Sequence, residues 1–310
     1  DVNASVNVFR AGSDRVVHDF GSSVSFNGTT GQMLRVSGEP SLPSVIGGSF
    51  FAPWPGRDGL ISELSAHLDA AGDYERQLDA CRRWAKEWHF RVGVHQLRDL
   101  ITADQAGGQY CDIAAACVAG LYPRVVADFS RKHGGPPGRG AMVLGMGSLG
   151  AGRLTAASDL DMIVIYDADG VEASEGRRPL PARSYYARLT QALITAMTAQ
   201  TAEGRLYEVD MRLRPSGKQG PVATSFESFQ SYQRTEAWVW EHLALTRGRA
   251  LAGEPDLMGA VEDFRAVLIA EPQDEARIRK ETREMRVRLA EAKPGGPWDP
   301  KNGPGRMMDI

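Results

Sequence analysis

Asp159 and Asp161 stand two residues apart, and Asp210 follows in a separate stretch, Glu208-Val209-Asp210-Met211-Arg212-Leu213-Arg214. Upstream of the pair lies Gly147-Ser148. In an extended strand, residues i and i+2 point to one face, so Asp159 and Asp161 can share divalent cations of the hard, oxygen-seeking kind, Mg²⁺ first among them. A glycine-serine turn at a helix start offers backbone N–H groups and a hydroxyl to a triphosphate. The chemistry this set suits is metal-assisted transfer of a nucleotide. One cation activates the attacking oxygen and a second steadies the leaving pyrophosphate. The two also offset the repulsion between neighbouring carboxylates. Asp210 is the natural third ligand, or the base that takes a proton from the acceptor hydroxyl. Arg212 and Arg214 fall on the same predicted strand face and could meet the triphosphate through forked hydrogen bonds. A salt-bridge ladder on an exposed strand is an equally good reading of the two arginines.

Several elements must position these groups. Residues 141–144 are a short apolar strand running into the glycines, and residues 162–166 read as a buried strand. Residues 206–214 alternate strictly between polar and apolar, the pattern of a strand with one polar side, and Pro215-Ser216-Gly217 ends it. Tyr185, Leu189, Leu193 and Met197 line one face of a helix expected to end near Gly204. Upstream, Leu78, Cys81, Trp84 and Trp88 recur at helical spacing. A further helix over residues 110–132 is stopped by His133-Gly134-Gly135-Pro136-Pro137. Residues 237–242 and 274–292 read as helical again. The expected class is α+β, a small mixed sheet flanked by helical domains. Its expected divisions are an irregular or poorly ordered lead over 1–56, a helical domain over 57–135, a nucleotidyltransferase domain over 136–235, and a helical segment over 236–310.

The 310 residues carry a formal net charge of -3, which argues against a nucleic-acid polymerase or binder. The apolar run 162–166 is far too short to span a bilayer. Three cysteines without C-x-x-C spacing suit buried thiols in a reducing cytoplasm. The chain opens on Asp1 rather than Met and reads as a piece of a longer protein. Trp238, Trp240 and His242 are expected to fill a helix-helix interface, Tyr185 and Tyr186 a core. The histidines at 18, 67, 89, 95 and 133 show no ligand spacing.

A competing reading exists for the glycines. Gly145-Met146-Gly147-Ser148-Leu149-Gly150 fits G-x-G-x-x-G after a strand, and Asp167 stands where a dinucleotide site places its ribose-binding acid. Against it, residues 151–158 are short and polar and leave little room for the long apolar helix such a sheet needs.

The motifs Gly145 to Gly150, Thr155-Ala156-Ala157-Ser158-Asp159-Leu160-Asp161 and Leu206-Tyr207-Glu208-Val209-Asp210-Met211-Arg212-Leu213-Arg214-Pro215-Ser216-Gly217 resemble those of glutamine synthetase adenylyltransferases. So does Glu236-Ala237-Trp238-Val239-Trp240-Glu241-His242. The resemblance is dense over residues 73–292. Proteins of that family carry two nucleotidyltransferase halves, one attaching AMP to a tyrosine of glutamine synthetase and one removing it by phosphorolysis. Tyr207-Glu208-Val209-Asp210 with Trp240-Glu241-His242 is similar to the C-terminal, adenylylating half. The resemblance implies a polymerase-β-like sheet, Mg²⁺ at Asp159, Asp161 and Asp210, and ATP as substrate. It also implies glutamine synthetase as protein partner, with the PII signal protein and glutamine as regulators. Two departures stand out: Ser148 replaces the family's usual Lys, and near Gly152-Arg153-Leu154, where the family has Gly-Arg-Glu-Met, Arg153 stands in place of an acid. They keep a catalytically weak ATP-binding regulatory module open beside the two enzymatic directions.

Overall fold

The computed structural model describes residues 7–11, 14–19, 22–27, 33–35, 48–272, 274–292, 295–300 and 305–306. Within residues 1–56, the described parts up to residue 35 form four strands, β1 (Asn7–Ala11), β2 (Asp14–Asp19), β3 (Ser22–Asn27) and β4 (Met33–Arg35), paired as an antiparallel meander, and a 3-10 turn follows at Gly48–Phe51.

Three helices follow: α1 (Gly56–Ala70), α2 (Tyr74–Leu97) and α3 (Ala103–His133). Local chemistry sets their starts. Asp73 caps α2 by accepting from the Arg76 amide, and Thr102 and Gln105 form a reciprocal capping box on α3. That box explains why α3 begins ahead of residue 110, where the apolar pattern first becomes visible. By length and composition α3 is apolar enough to cross a membrane. Its apolar residues, Ile113, Cys117 and Leu121 among them, are buried against α1 and α2. Cys81, Cys111 and Cys117 are all buried free thiols, as expected.

The second sheet contains β5 (Gly140–Gly145), β6 (Leu160–Asp167), β7 (Val209–Asp210), β8 (Ala223–Ser225) and β9 (Arg249–Gly253). β5 pairs antiparallel with β6 on one edge and with β9 on the other. β7 and β8 lie in tandem along the free edge of β6, both parallel to it. The antiparallel β5–β6 pair rules out the dinucleotide fold, whose first two strands run parallel. Asp167 pairs with Arg139 at 2.9 Å.

Alternation along β5 and β6 divides the apolar residues between two cores. Val143, Leu160, Met162, Val164 and Tyr166 face α3 and α5 (Ala182–Thr198). Met142, Leu144, Ile163 and Ile165 face the other side. There they meet α6 (Phe226–Thr235) and α8 (Pro255–Ala270) through Phe229, Leu257, Val261 and Phe264. Tyr185, Leu189, Leu193 and Met197 form the buried face of α5 as predicted. α5 stops at Thr198, short of Gly204, because Arg82 caps it. The fully buried Arg82 guanidinium donates to the carbonyls of Leu78, Ala196, Ala199 and Gly204 at 2.9 Å each.

Two further helices, α7 (Val239–Leu245) and α9 (Glu275–Ala292), follow in chain order around α8. Trp238 stands at the rim of the α7–α9 interface rather than filling it. It is 41 % exposed, with the Arg288 guanidinium 5.2 Å from its ring centre. His242 does meet its neighbour, Nε2 lying 2.8 Å from the Gln233 carbonyl.

Candidate active site

The predicted strand over residues 206–214 contracts to the two residues of β7. Asp210 itself ends the strand. Its Oδ1 accepts the Arg212 amide at 2.8 Å, an Asx turn that draws the backbone out of the ladder. Turns at Met211 and Arg214 follow.

Register then fixes the acids. Leu160 stands opposite Val209, and Asp161 opposite Asp210. Leu160 and Val209 both turn to the first core, so Asp161 and Asp210 share the opposite face. Asp159 precedes β6, exposed at its mouth. A cavity of about 800 Å³ opens there, lined by Asp159, Glu208, Asp210, Arg212 and Arg214 among others. All four polar residues of the 206–214 stretch thus reach one cavity, although turns rather than a long strand bring them there.

Asp161 sits behind this cavity against the glycine turn. α4 (Gly147–Gly150) is a single turn, entered from an extended Met146 whose amide donates to the Asp161 carbonyl at 2.8 Å. Gly147 adopts φ +54, and a Cβ on it would lie 2.1 Å from Oδ2 of Asp161. Only glycine fits. Gly150 is equally constrained, since a Cβ there would lie 1.7 Å from the Arg247 carbonyl. Ser148 is exposed on the first turn, where the leading amides have no partner within the helix.

Burial, and then the charges of Asp159 and Asp210, push the Asp161 carboxyl above its ordinary value. The three acids therefore lie close enough to repel one another, which is what a shared cation would relieve. Their donor set, carboxylate oxygens only, suits Mg²⁺, and the missing Cβ of Gly147 leaves space at Asp161. Among the described residues no three acidic, imidazole or thiol groups are yet gathered at ligand distance. Asp210 is instead turned to Arg212, whose Nε donates to Oδ2 at 2.6 Å. Arg214 is occupied with the backbone, donating to the carbonyls of Met211 and Gly220 at 2.7 and 3.3 Å.

Helices α2 and α3 grip this site from behind. Arg153 makes a forked pair with Asp104 of α3, at 2.7 and 3.2 Å. The Leu154 amide donates to Gly107 of the same helix at 3.0 Å. The residue that departs from the family pattern therefore ties the Gly147 turn to α3. On the other flank, His89 of α2 lies 2.8 Å from the hydroxyl of the buried Tyr207. Burial holds the His89 ring neutral, with its pKa lowered to about 4. Nothing in the spacing of the histidines points to this contact, which joins residues 118 apart in the chain.

A small mixed sheet with acids at the mouth of parallel strand ends, a glycine turn against them and helices on both sides defines a domain of nucleotidyltransferase type. Residues 46–264 match the family described as glutamate-ammonia ligase adenylyltransferase, and the chain belongs to that family. Similar proteins include three that are each named bifunctional glutamine synthetase adenylyltransferase/adenylyl-removing enzyme. That of Xanthobacter autotrophicus is 42% identical over 275 residues, covering 87% of this chain and 28% of the relative. That of Mesorhizobium japonicum is 43% identical over 258 residues, covering 83% and 26%. That of Rhizobium meliloti is 44% identical over 261 residues, covering 84% and 26%. The chain thus spans little more than a quarter of the length of these relatives.

Proposed function

We propose that this chain transfers AMP from ATP to a tyrosine hydroxyl of glutamine synthetase. The observation that carries the reading is the register of Asp161 on Asp210, with Asp159 beside them and Gly147 closed against Asp161. In the transfer, the tyrosine oxygen forms a bond to the α-phosphorus, the bond from that phosphorus to the α–β bridging oxygen breaks, and pyrophosphate leaves. Asp210 receives the hydroxyl proton or joins Asp159 and Asp161 in holding Mg²⁺. Bound there, Mg²⁺ supplies charge neutralisation at the phosphates and lowers the pKa of the attacking hydroxyl. Gly147 and Ser148 meet the triphosphate. In the cell the partner would be cytoplasmic glutamine synthetase, with PII and glutamine as regulators acting on the full-length enzyme.

The relatives' names carry a second activity, and it is the alternative here: phosphate attacks the tyrosyl-AMP bond and releases ADP. One geometry serves both directions, because each displaces a group in line at the same phosphorus. The test is label transfer from α-labelled ATP to unmodified glutamine synthetase with Mg²⁺, comparing the chain with Asp159→Asn and Asp210→Asn. Labelling lost in both variants is expected. No transfer by the folded wild type, with phosphate-dependent release from adenylylated synthetase, would assign the removing direction instead. Silence in both would leave a regulatory ATP binder.

A further inference from the structure

Arg212 and Arg214 leave the same turn but are held differently. Arg214 is committed to backbone carbonyls, which makes it part of the wall. Arg212 is committed to the acid. Its Nε and its own amide donate to the two Asp210 oxygens at 2.6 and 2.8 Å, and Nη2 closes the ion pair. The Asp210 side chain is 13% exposed and that of Arg212 is 61% exposed. The acid is therefore the anchored member and the arginine the movable one. The charges of Asp161 and Asp159 also act on Arg212, so one guanidinium stands in the field of all three acids. A guanidinium fork matches a carboxylate and a phosphate equally well.

We propose that Arg212 is a resident counter-ion that holds Asp210 while no nucleotide is bound, then turns to the triphosphate and frees Asp210 for the cation. This rests on the reading of the cavity as a metal-nucleotide site and adds a binding order to it. A cation alone relieves the repulsion among the acids but must displace Arg212, which is then left with no anion to meet. A cation arriving with ATP finds a new anion for Arg212 to meet. Arg212 is thus a positioning residue for Asp210 in the empty site and a phosphate ligand in the filled one.

The two roles give opposite signs on removal, which no purely structural role does. The experiment titrates Mn²⁺ into the chain by electron paramagnetic resonance, with and without α,β-methylene-ATP. It compares wild type with Arg212→Gln, Arg212→Lys and Asp159→Asn, each checked for folding by circular dichroism. Arg212→Gln is expected to bind Mn²⁺ alone about three- to tenfold more tightly, the scale of one partly exposed charge pair. It should bind the nucleotide in Mn²⁺ roughly tenfold more weakly. Arg212→Lys should fall between on both. Weakening of both, or change in neither, overturns the proposal and leaves the site reading standing. If wild type binds no Mn²⁺ even with the nucleotide, or if binding survives Asp159→Asn, the metal-nucleotide reading itself falls and the proposal with it.

Discussion

Gly147→Ala is the sharpest perturbation of the site, and its cost has two separable parts. A non-glycine residue at φ +54 carries the left-handed penalty of roughly 1–2 kcal/mol. The added Cβ would then lie 2.1 Å from Oδ2 of Asp161, so either the carboxylate rotates or the Met146–Gly147 turn opens. Overpacking of that kind costs about 1–3 kcal/mol more. Gly152→Ala isolates the first part. Gly152 has φ +80, and the nearest atom to its Cβ would be Arg249 Nη1 at 3.8 Å. Denaturant melts should therefore show Gly152→Ala losing about 1–2 kcal/mol and Gly147→Ala about 2–5 kcal/mol. In an Asp161→Ala background the excess at Gly147 should vanish, since the opposing oxygen is gone; a double-mutant cycle reads that difference directly. AMP transfer should fall about a hundredfold for Gly147→Ala, the scale of a misplaced reacting group, and stay near wild type for Gly152→Ala. Equal melts for the two alanines, with transfer retained by both, would refute the contact and its role.

Arg82→Met should cost about 3–5 kcal/mol, because it leaves the carbonyls of Ala196 and Ala199 at the end of α5 without their guanidinium donor and removes the tie to Leu78 and Gly204. Arg82→Lys should recover little of this in urea melts, as one ammonium cannot span the fork. His89, with its pKa lowered to about 4 from 6.5, binds its proton more readily unfolded than folded. Its contribution is therefore complete above pH 6.5 and is lost as pH falls towards 4, by at most about 3 kcal/mol. Urea midpoints at pH 7 and 4.5 should converge when His89→Phe removes the group; an unchanged pH slope would contradict it. Asp161, raised by burial and its acidic neighbours, has the reverse sign: its folded form keeps the proton longer, so stability falls as pH rises from 3.8 through the raised value. In metal-free buffer at neutral pH, Asp161→Asn should melt above wild type, and the gain should fade below the ordinary carboxylate pKa.

The acids were legible because their pattern is local. An i, i+2 pair at the entry to an apolar run marks a strand start with two acids at its mouth, although Asp159 stands just before β6, and the glycines mark a turn that only they can make. Asp210 was legible as a type of residue, while its position was not. The alternation over residues 206–214 imitates a long strand, and the Asx turn that cuts it depends on where one carboxylate points. The pairing of Asp161 with Asp210 joins strands with α5 between them, and no spacing encodes such a parallel match. Sheet direction decided the glycine motif in the same way. G-x-G-x-x-G is common to both readings, and the antiparallel β5–β6 ladder separates them. Arg153 shows the opposite case. It looks like a lost acid in the motif, yet Asp104, on a helix 49 residues earlier, supplies the missing charge from outside.

That last exchange shows how the site is held. The glycine turn is fixed to α3 by Arg153, by the Leu154 amide and by Arg249, whose Nη2 donates to both Cys111 Sγ and the Leu149 carbonyl at 3.0 Å. β7 is only two residues long and borrows its rigidity from Tyr207, pinned by His89 of α2, and from the Tyr207 amide on Met197 of α5. The sheet by itself orders β6. The helices order the two segments that must close on β6, one carrying Gly147 and the other Asp210. Closure raises the Asp161 carboxyl through burial and its acidic neighbours, and Arg212 offsets part of that charge at Asp210. On the proposed reading, a cation arriving with a triphosphate would relieve the repulsion among the acids and give Arg212 a new partner. Helices α2 and α3 thus hold the two segments of the proposed site, and cutting the chain between α3 and β5 should abolish nucleotide binding even where the sheet still folds.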